Sequence, residues 1–179
     1  SYVAGMALLH TLDMYSAFVL TTTLFCSVPL FDLYRCCTDP IMNLYELLLS
    51  ENYPQLASLL RRLGINAREY AYTWLMALFC RYLPIQHAAR VWDRLMVEGP
   101  SVLFRTCVAL VKLLSRRAEA HSVSASPTAH YENWRLLLQQ VPSQLSEEEL
   151  MDAVDAVECS PAFTASLAAL CHSRIHQND

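Results

Sequence analysis

Apolar residues recur along this chain at intervals of three and four residues, and no convincing stretch alternates between apolar and polar positions. The first spacing places apolar side chains on one face of a helix, whereas strict alternation is typical of a half-buried strand. No repeat of solenoid period is present, which favours one globular array of packed helices. The pattern therefore predicts an all-α fold of about nine or ten helices joined by short turns.

Proline, glycine and capping residues mark where the predicted helices begin and end. Asn66 followed by Glu69 resembles a capping box, and Gly64 and Gly99 stand where helices are expected to stop. Residues 119–129, rich in serine and alanine, are predicted to form a mobile linker. The predicted helices cover residues 3–13, a second segment ending near 26, then 38–50, 54–63, 68–83, 85–98, 100–118, 131–141, 147–157 and 162–175.

The first two predicted helices are apolar on nearly all sides, since Asp13 is the only formal charge before Asp32. Helices of this kind must be buried from several directions. We do not expect the rest of the chain to supply all of that cover, so we expect further protein to pack on residues 3–30. The uncharged stretch 14–31 has the minimum length of a membrane span, but its hydroxyl side chains and Pro29 favour a buried helix over a transmembrane segment.

Composition excludes several classes of function. The formal net charge of −4 gives no basic surface, so nucleic acid is not an expected partner. Only three glycines occur among 179 residues, which excludes a glycine-rich phosphate-binding loop. The seven cysteines form no C-x-x-C motif, and most lie in apolar runs, which is typical of a reducing compartment such as the cytoplasm.

Two polar clusters could hold a metal or perform acid–base chemistry, but neither pattern is complete. The first lacks the second close-spaced pair of ligands that a zinc site usually has. The second lies near the start of a predicted helix, where acidic residues complement the helix dipole. We therefore expect no metal, no cofactor and no catalytic side chain from either cluster. The two clusters are Cys159, Cys171, His172 and His176, and Glu148, Asp152 and Asp155.

One block carries more information than its periodicity. Residues 70–104, with the sequence YAYTWLMALFCRYLPIQHAARVWDRLMVEGPSVLF, resemble the second half of a TBC domain, the GTPase-activating module for Rab GTPases. The preceding PQLASLLRRLGI and the opening SYVAGM, which is similar to the family's Y-x-Q-G-M motif, extend the resemblance over residues 1–115. The matching residues in the block are Trp74, Leu78, Phe79, Leu83, Pro84, Trp92, Asp93, Glu98, Gly99 and Phe104. Their large aromatic members are predicted to be core.

The resemblance implies a Rab-family small GTPase as the partner and a role in membrane traffic, in the cytoplasm and at the surface of endomembranes. TBC domains accelerate GTP hydrolysis with an Arg finger from an I-x-x-D-x-x-R motif and the Gln finger of Y-x-Q. In this chain Ala4 occupies the Gln position, flanked by Tyr2 and Gly5, and its methyl group can neither donate nor accept a hydrogen bond.

The Arg motif does not occur among the 179 residues, and in the family it precedes Y-x-Q. The resemblance therefore implies that residues 1–179 are the C-terminal portion of a TBC-type domain whose N-terminal half lies outside this chain. Three hypotheses follow for its function. In the first, the chain binds a Rab-family GTPase but has weak or no GTPase-activating power. In the second, it is part of an active Rab GTPase activator that uses the Arg finger of the N-terminal half. In the third, it is a helical interaction scaffold that does not bind a GTPase.

Overall fold

The computed structural model describes residues 2–11, 13–26, 38–121, 127–139 and 145–172, and these ranges contain ten helices and no strand. The predicted all-α class is therefore confirmed. In chain order the helices are α1 (Tyr2–Thr11), α2 (Met14–Cys26), α3 (Thr38–Asn52), α4 (Pro54–Arg62), α5 (Ala67–Met76), α6 (Ile85–Glu98), α7 (Ser101–His121), α8 (Pro127–Gln139), α9 (Glu147–Asp155) and α10 (Pro161–His172).

Helix α7 lies at the centre of the fold and packs against α3, α5, α6, α8 and α9. Between Val102 and Val111 almost every side chain is inaccessible to solvent. The hydroxyl of Thr106 is satisfied within the helix, because it donates to the carbonyl oxygen of Val102 at 2.8 Å. Such a helix is buried on nearly all sides and organises the packing of its neighbours.

Large aromatic side chains fill the core, as the sequence predicts. Trp74, Phe79, Trp92 and Phe104 are each no more than 2% exposed. The ring of Phe104 meets that of Phe163 edge to face, with centroids 5.7 Å apart, and this contact ties α10 to α7. These buried residues form the core, so a functional site has to be formed by residues at the surface.

The helix ends follow local capping chemistry at several predicted positions. The Asn66 side chain accepts a hydrogen bond from the N–H of Arg68 at 2.9 Å, and that of Ser146 accepts from the N–H of Glu149 at 3.1 Å. Gly99 ends α6 with φ 81°, a conformation that glycine adopts without steric cost. The predicted starts and stops at these positions are confirmed.

One predicted helix is wrong in length. The spacing predicts a helix over residues 68–83, whereas α5 ends at Met76 and residues 77–83 form turns. Leu78 and Phe79 adopt φ angles of 44° and 63°, in the left-handed region that non-glycine residues rarely occupy. The N–H of Phe79 donates to the carbonyl oxygen of Trp74 at 2.9 Å, a bond of the kind that closes helices.

The predicted boundaries of the linker over residues 119–129 are wrong at both ends. Helix α7 continues to His121 and α8 begins at Pro127, so both ends of the predicted linker are helical. Residues 122–126 lie outside the described residues, as do Pro29 and the end of the last predicted helix beyond residue 172.

Helices α1 and α2 pack against each other as a hairpin that touches the rest of the chain partly through α6. Asp13 begins α2 by accepting a hydrogen bond from the N–H of Ser16 at 2.8 Å, and hydrogen bonding to Ser16 lowers the pKa of the Asp13 carboxyl group. The hairpin leaves apolar side chains of both helices exposed. The most exposed of them are Met14 (82%), Tyr15 (77%) and Phe18 (68%).

Within the described ranges, every helix is too short or too polar to cross a bilayer.

Candidate functional site

The residues that correspond to the Y-x-Q motif lie in the first turn of α1. Tyr2 is 61% exposed and Gly5 is also exposed, while Ala4 between them is half-buried. The opposite face of α1 is anchored in the core by Val3, Met6 and Ala7. Because these three residues recur at helical spacing, they fix the orientation of the first turn. The candidate site is therefore held by packing rather than by a flexible loop.

A groove runs between this first turn and the end of α5. Its volume is about 350 Å³, and we call it the α1–α5 groove. Its walls are mainly aromatic and aliphatic, with one cationic side chain and no carboxylate among the residues that line it. These residues are Tyr2, Val3, Tyr72, Thr73, Met76, Ala77, Arg81 and Tyr82.

The wall that carries Arg81 and Tyr82 is a strained turn. Leu78 and Phe79, which precede Cys80 in this turn, are fully buried and left-handed, and each such conformation costs roughly 1–3 kcal/mol. Backbone hydrogen bonds offset this cost, since the N–H groups of Tyr82 and Leu83 both donate to the carbonyl oxygen of Phe79 at 2.9 Å. The turn is thus rigidly closed, and it holds Arg81 and Tyr82 against the groove.

The carbonyl oxygen of Leu78 accepts two side-chain hydrogen bonds that support the same turn. The indole Nε1–H of Trp92 donates to it at 3.0 Å, and the Cys80 thiol approaches it at 3.4 Å. Burial raises the pKa of the Cys80 thiol to about 11, so the sulfur stays protonated at neutral pH and can act as a donor.

Trp92 also contacts α1 near its C-terminal end. Its indole lies nearly parallel to the His10 imidazole of α1, with an interplanar angle of 16° and ring centroids 6.1 Å apart. A single buried side chain therefore connects α1, which carries Ala4, with the turn that precedes Arg81.

Arg81 presents a charge at the groove that is unpaired among the described residues. Its side chain is exposed, and its guanidinium lies over the Tyr82 ring, 5.6 Å from the centroid. The ion pairs among the described side chains involve Arg68, Arg90, Arg94 and Arg105 but not Arg81. The charge of Arg81 is thus available to a partner.

The predicted acidic cluster extends along the whole of α9 rather than lying near its start, because Asp155 is the last residue of the helix. Asp155 pairs with Arg94 at 2.6 Å and with Arg105 at 3.1 Å, and this joins α9 to α6 and α7. Glu148 and Asp152 are exposed. The structure does not bring the three acids together as a metal-binding group, and none was found elsewhere among the described residues.

The cluster of thiols and imidazoles near the C-terminus is described only in part. Burial raises the pKa values of the Cys159 and Cys171 thiols. His176 and the side chain of His172 lie outside the described residues.

Sequence reasoning located the α1 residues of the site but missed the other wall of the groove. Tyr72 and Met76 are four residues apart and share one face of α5, which is a spacing visible in the sequence. Arg81 reaches the same groove because the chain turns back after Met76. The charge of Arg81 within a run of apolar residues was the available indication.

Comparisons with known proteins agree with the resemblance described above. The family model of the Rab-GTPase-TBC domain matches residues 1–118. TBC1 domain family member 14 from Mus musculus is 26% identical over 165 residues, which cover 88% of this chain and 22% of that protein. Carabin from Mus musculus is 32% identical over 118 residues, or 66% of this chain and 26% of its own length.

Growth hormone-regulated TBC protein 1 from Xenopus tropicalis is 30% identical over 115 residues, which cover 63% of this chain and 33% of that protein. The chain thus spans between 22% and 33% of the length of these three relatives.

Proposed function

The chain belongs to the Rab-GTPase-TBC domain family, and from this membership we propose that it binds a Rab-family GTPase with weak or no GTPase-activating power. The observation that carries the proposal is Ala4. It stands in a well-anchored first turn beside exposed Tyr2 and Gly5, at the position that corresponds to the Gln of Y-x-Q. The backbone of the motif is kept, while the side chain that would act on the reaction is absent.

The loss of this side chain affects hydrolysis more than binding. An arginine finger alone is worth roughly 10³–10⁵ in rate for a small GTPase, because it stabilises charge on the transferred phosphoryl group. A second oriented hydrogen-bonding group that positions the water acts only in the transition state, and loss of one such group costs roughly 10²–10³. A methyl group at Ala4 cannot replace it.

We propose further that the N-terminal half of the same domain packs on residues 3–30. Met14, Tyr15 and Phe18 support this proposal, because they form part of an exposed apolar surface on the α1–α2 hairpin. Contiguous apolar patches of this kind are uncommon on the surface of a monomer and mark contact sites. The Arg finger of the family would belong to that half.

A working GTPase activator is the second candidate function. The retained geometry of the first turn favours it, since Gly5 is exposed and a Cβ at this position would meet no atom within 4 Å. A partner can therefore approach the backbone of α1 closely. In this case the Arg finger of the N-terminal half and the GTPase's own Gln would perform the chemistry. Both candidates place the protein in the cytoplasm, at the endomembranes on which Rab GTPases act.

The test measures binding and hydrolysis separately, with the chain joined to its N-terminal half. A panel of purified Rab GTPases is loaded with GDP or with a non-hydrolysable GTP analogue for binding, and with GTP for single-turnover hydrolysis. Nucleotide-dependent binding with acceleration below about 10-fold supports the proposal. Acceleration of about 10³-fold or more favours the second candidate, and absence of binding to every Rab contradicts both and favours the scaffold hypothesis.

A further inference from the structure

We propose that Arg81 determines which GTPase the α1–α5 groove accepts, by pairing with a carboxylate on the GTPase surface. This assignment rests on the proposed Rab binding and names the chemistry by which the groove would recognise its partner. It concerns a residue outside the Y-x-Q motif, on the opposite wall of the groove.

Arg81 forms no ion pair with a carboxylate of the described chain. Arg94 and Arg105 are committed to carboxylates of the chain itself, through bonds to Glu98 and Asp155. Among the described residues, Arg81 lies over the face of the Tyr82 ring and forms no ion pair. An arginine stacked on an aromatic ring keeps its N–H groups in one plane, ready for a carboxylate.

The strained turn places Arg81 in the groove. In a continuous helix Arg81 would stand about 13 Å along the axis from Tyr72, at 1.5 Å per residue. Instead α5 stops at Met76, and the turn folds back so that Tyr72 and Arg81 line the same groove. Strain of this kind persists where surrounding contacts over-determine it, and it is often found at functional sites.

The single charge of Arg81 matches a carboxylate better than it matches a nucleotide triphosphate. A nucleotide triphosphate requires several cations or N–H donors, whereas Arg81 is the one cation among the residues lining this groove. A single planar guanidinium matches a single carboxylate by two parallel hydrogen bonds. Tyr2, Tyr72 and Tyr82 surround this position with aromatic area, and tyrosine and arginine together are typical of the residues that dominate protein interfaces.

The experiment compares Arg81→Ala, Arg81→Lys and Arg81→Glu in the chain joined to its N-terminal half. Arg62→Ala is the matched control, since Arg62 is exposed on α4 and does not line the groove. Affinity for GTP-analogue-loaded Rab GTPases is measured at low and at physiological salt, and circular dichroism verifies that each variant is folded.

We expect Arg81→Ala to weaken binding about 10-fold, Arg81→Glu to weaken it further, and Arg81→Lys to retain part of the affinity. Arg62→Ala should bind as the unaltered protein does. A Lys substitution of the matching carboxylate on the Rab should restore binding to Arg81→Glu.

Unchanged affinity of Arg81→Ala and Arg81→Glu would overturn the assignment while leaving Rab binding intact. A lower hydrolysis rate at saturation with unchanged affinity would also overturn it, because Arg81 would then act on the nucleotide phosphate. If the unaltered protein bound no Rab, the proposed function itself would fail, and the assignment with it.

Discussion

The indole Nε1–H of Trp92 donates a hydrogen bond to the carbonyl oxygen of Leu78, 14 residues earlier in the chain, at 3.0 Å. This bond reaches the turn in which Leu78 and Phe79 are left-handed. The same indole stacks on His10 of α1. A buried side chain outside the α1–α5 groove therefore joins α1 to the turn that precedes Arg81.

The contribution of this bond is measurable with Trp92→Phe, which keeps an aromatic ring and removes the N–H donor. We expect a loss of about 1–2 kcal/mol in the free energy of unfolding, beyond the cost of the smaller ring, because the buried carbonyl of Leu78 loses its strongest donor. Trp134→Phe is the matched control, since Trp134 is fully buried and its Nε1 has no hydrogen-bond partner. Urea unfolding of both variants measures the difference, and equal losses would contradict the role of the bond.

The pH dependence of stability should depend on Glu98, which joins Arg94 of α6 to Arg105 of α7 with distances of 2.5 and 2.8 Å. Hydrogen bonding from Arg94 lowers the pKa of the Glu98 carboxyl group below its ordinary value. A carboxylate with a lowered pKa in the folded state stabilises the fold fully above the unfolded pKa, and this contribution is lost as the pH falls through the folded pKa.

Glu98→Gln should therefore lower the free energy of unfolding by about 1 kcal/mol at pH 7, with a smaller difference from the unaltered protein at pH 4 and below. Urea titrations across this pH range measure it. Glu132→Gln, at an exposed position of α8, is the control, and we expect it to leave the free energy of unfolding unchanged at both pH values. A difference for Glu98→Gln that stays constant with pH would contradict the ionic origin of the effect.

Gly5 offers a test that separates stability from binding. A Cβ at this exposed helical position would meet nothing within 4 Å in the chain, and alanine is favoured over glycine in a helix by about 0.5–1 kcal/mol. Gly5→Ala should therefore raise the melting temperature while it weakens binding to the GTPase, because the added methyl group stands where the partner approaches. Thermal unfolding and an affinity measurement decide this together. A stabilised variant with unchanged affinity would show that the partner does not approach α1 at Gly5.

The sequence predicted those parts of the fold that local chemistry decides. Pro54 and Gly99 mark helix ends that the structure confirms, since proline lacks an N–H and glycine adopts positive φ without cost. The end of α5 was missed because contacts distant in sequence decide it: Leu78 and Phe79 have the apolar spacing of a helix but are held left-handed by a turn that Trp92 supports. Propensity and periodicity contain no information on such a contact.

The candidate site was likewise predictable from the sequence only in part. Ala4 was found from a motif that is contiguous in sequence, whereas the groove joins Tyr2 to Arg81 across most of the first half of the chain. Such a pairing follows from the packing of α1 beside the end of α5, which no local pattern specifies. The family resemblance supplied the motif but not this chain's own groove residues.

The last prediction concerns Ala4 itself. In the chain joined to its N-terminal half with the Arg finger intact, Ala4→Gln should raise the rate of GTP hydrolysis by the cognate Rab by about 10²–10³-fold and change its affinity little. A Gln side chain at this position would act on the attacking water, an interaction that is tighter in the transition state than in the ground state.

Ala4 is only half-buried and stands between exposed Tyr2 and Gly5, which the motif retains. Single-turnover hydrolysis at saturating concentration of the variant measures the effect across a panel of Rab GTPases. Ala4→Leu has similar bulk without a hydrogen-bonding group and should give no acceleration. If no Rab responds to Ala4→Gln although the Arg finger is present, Ala4 does not mark a disabled finger, and the first turn of α1 serves binding alone.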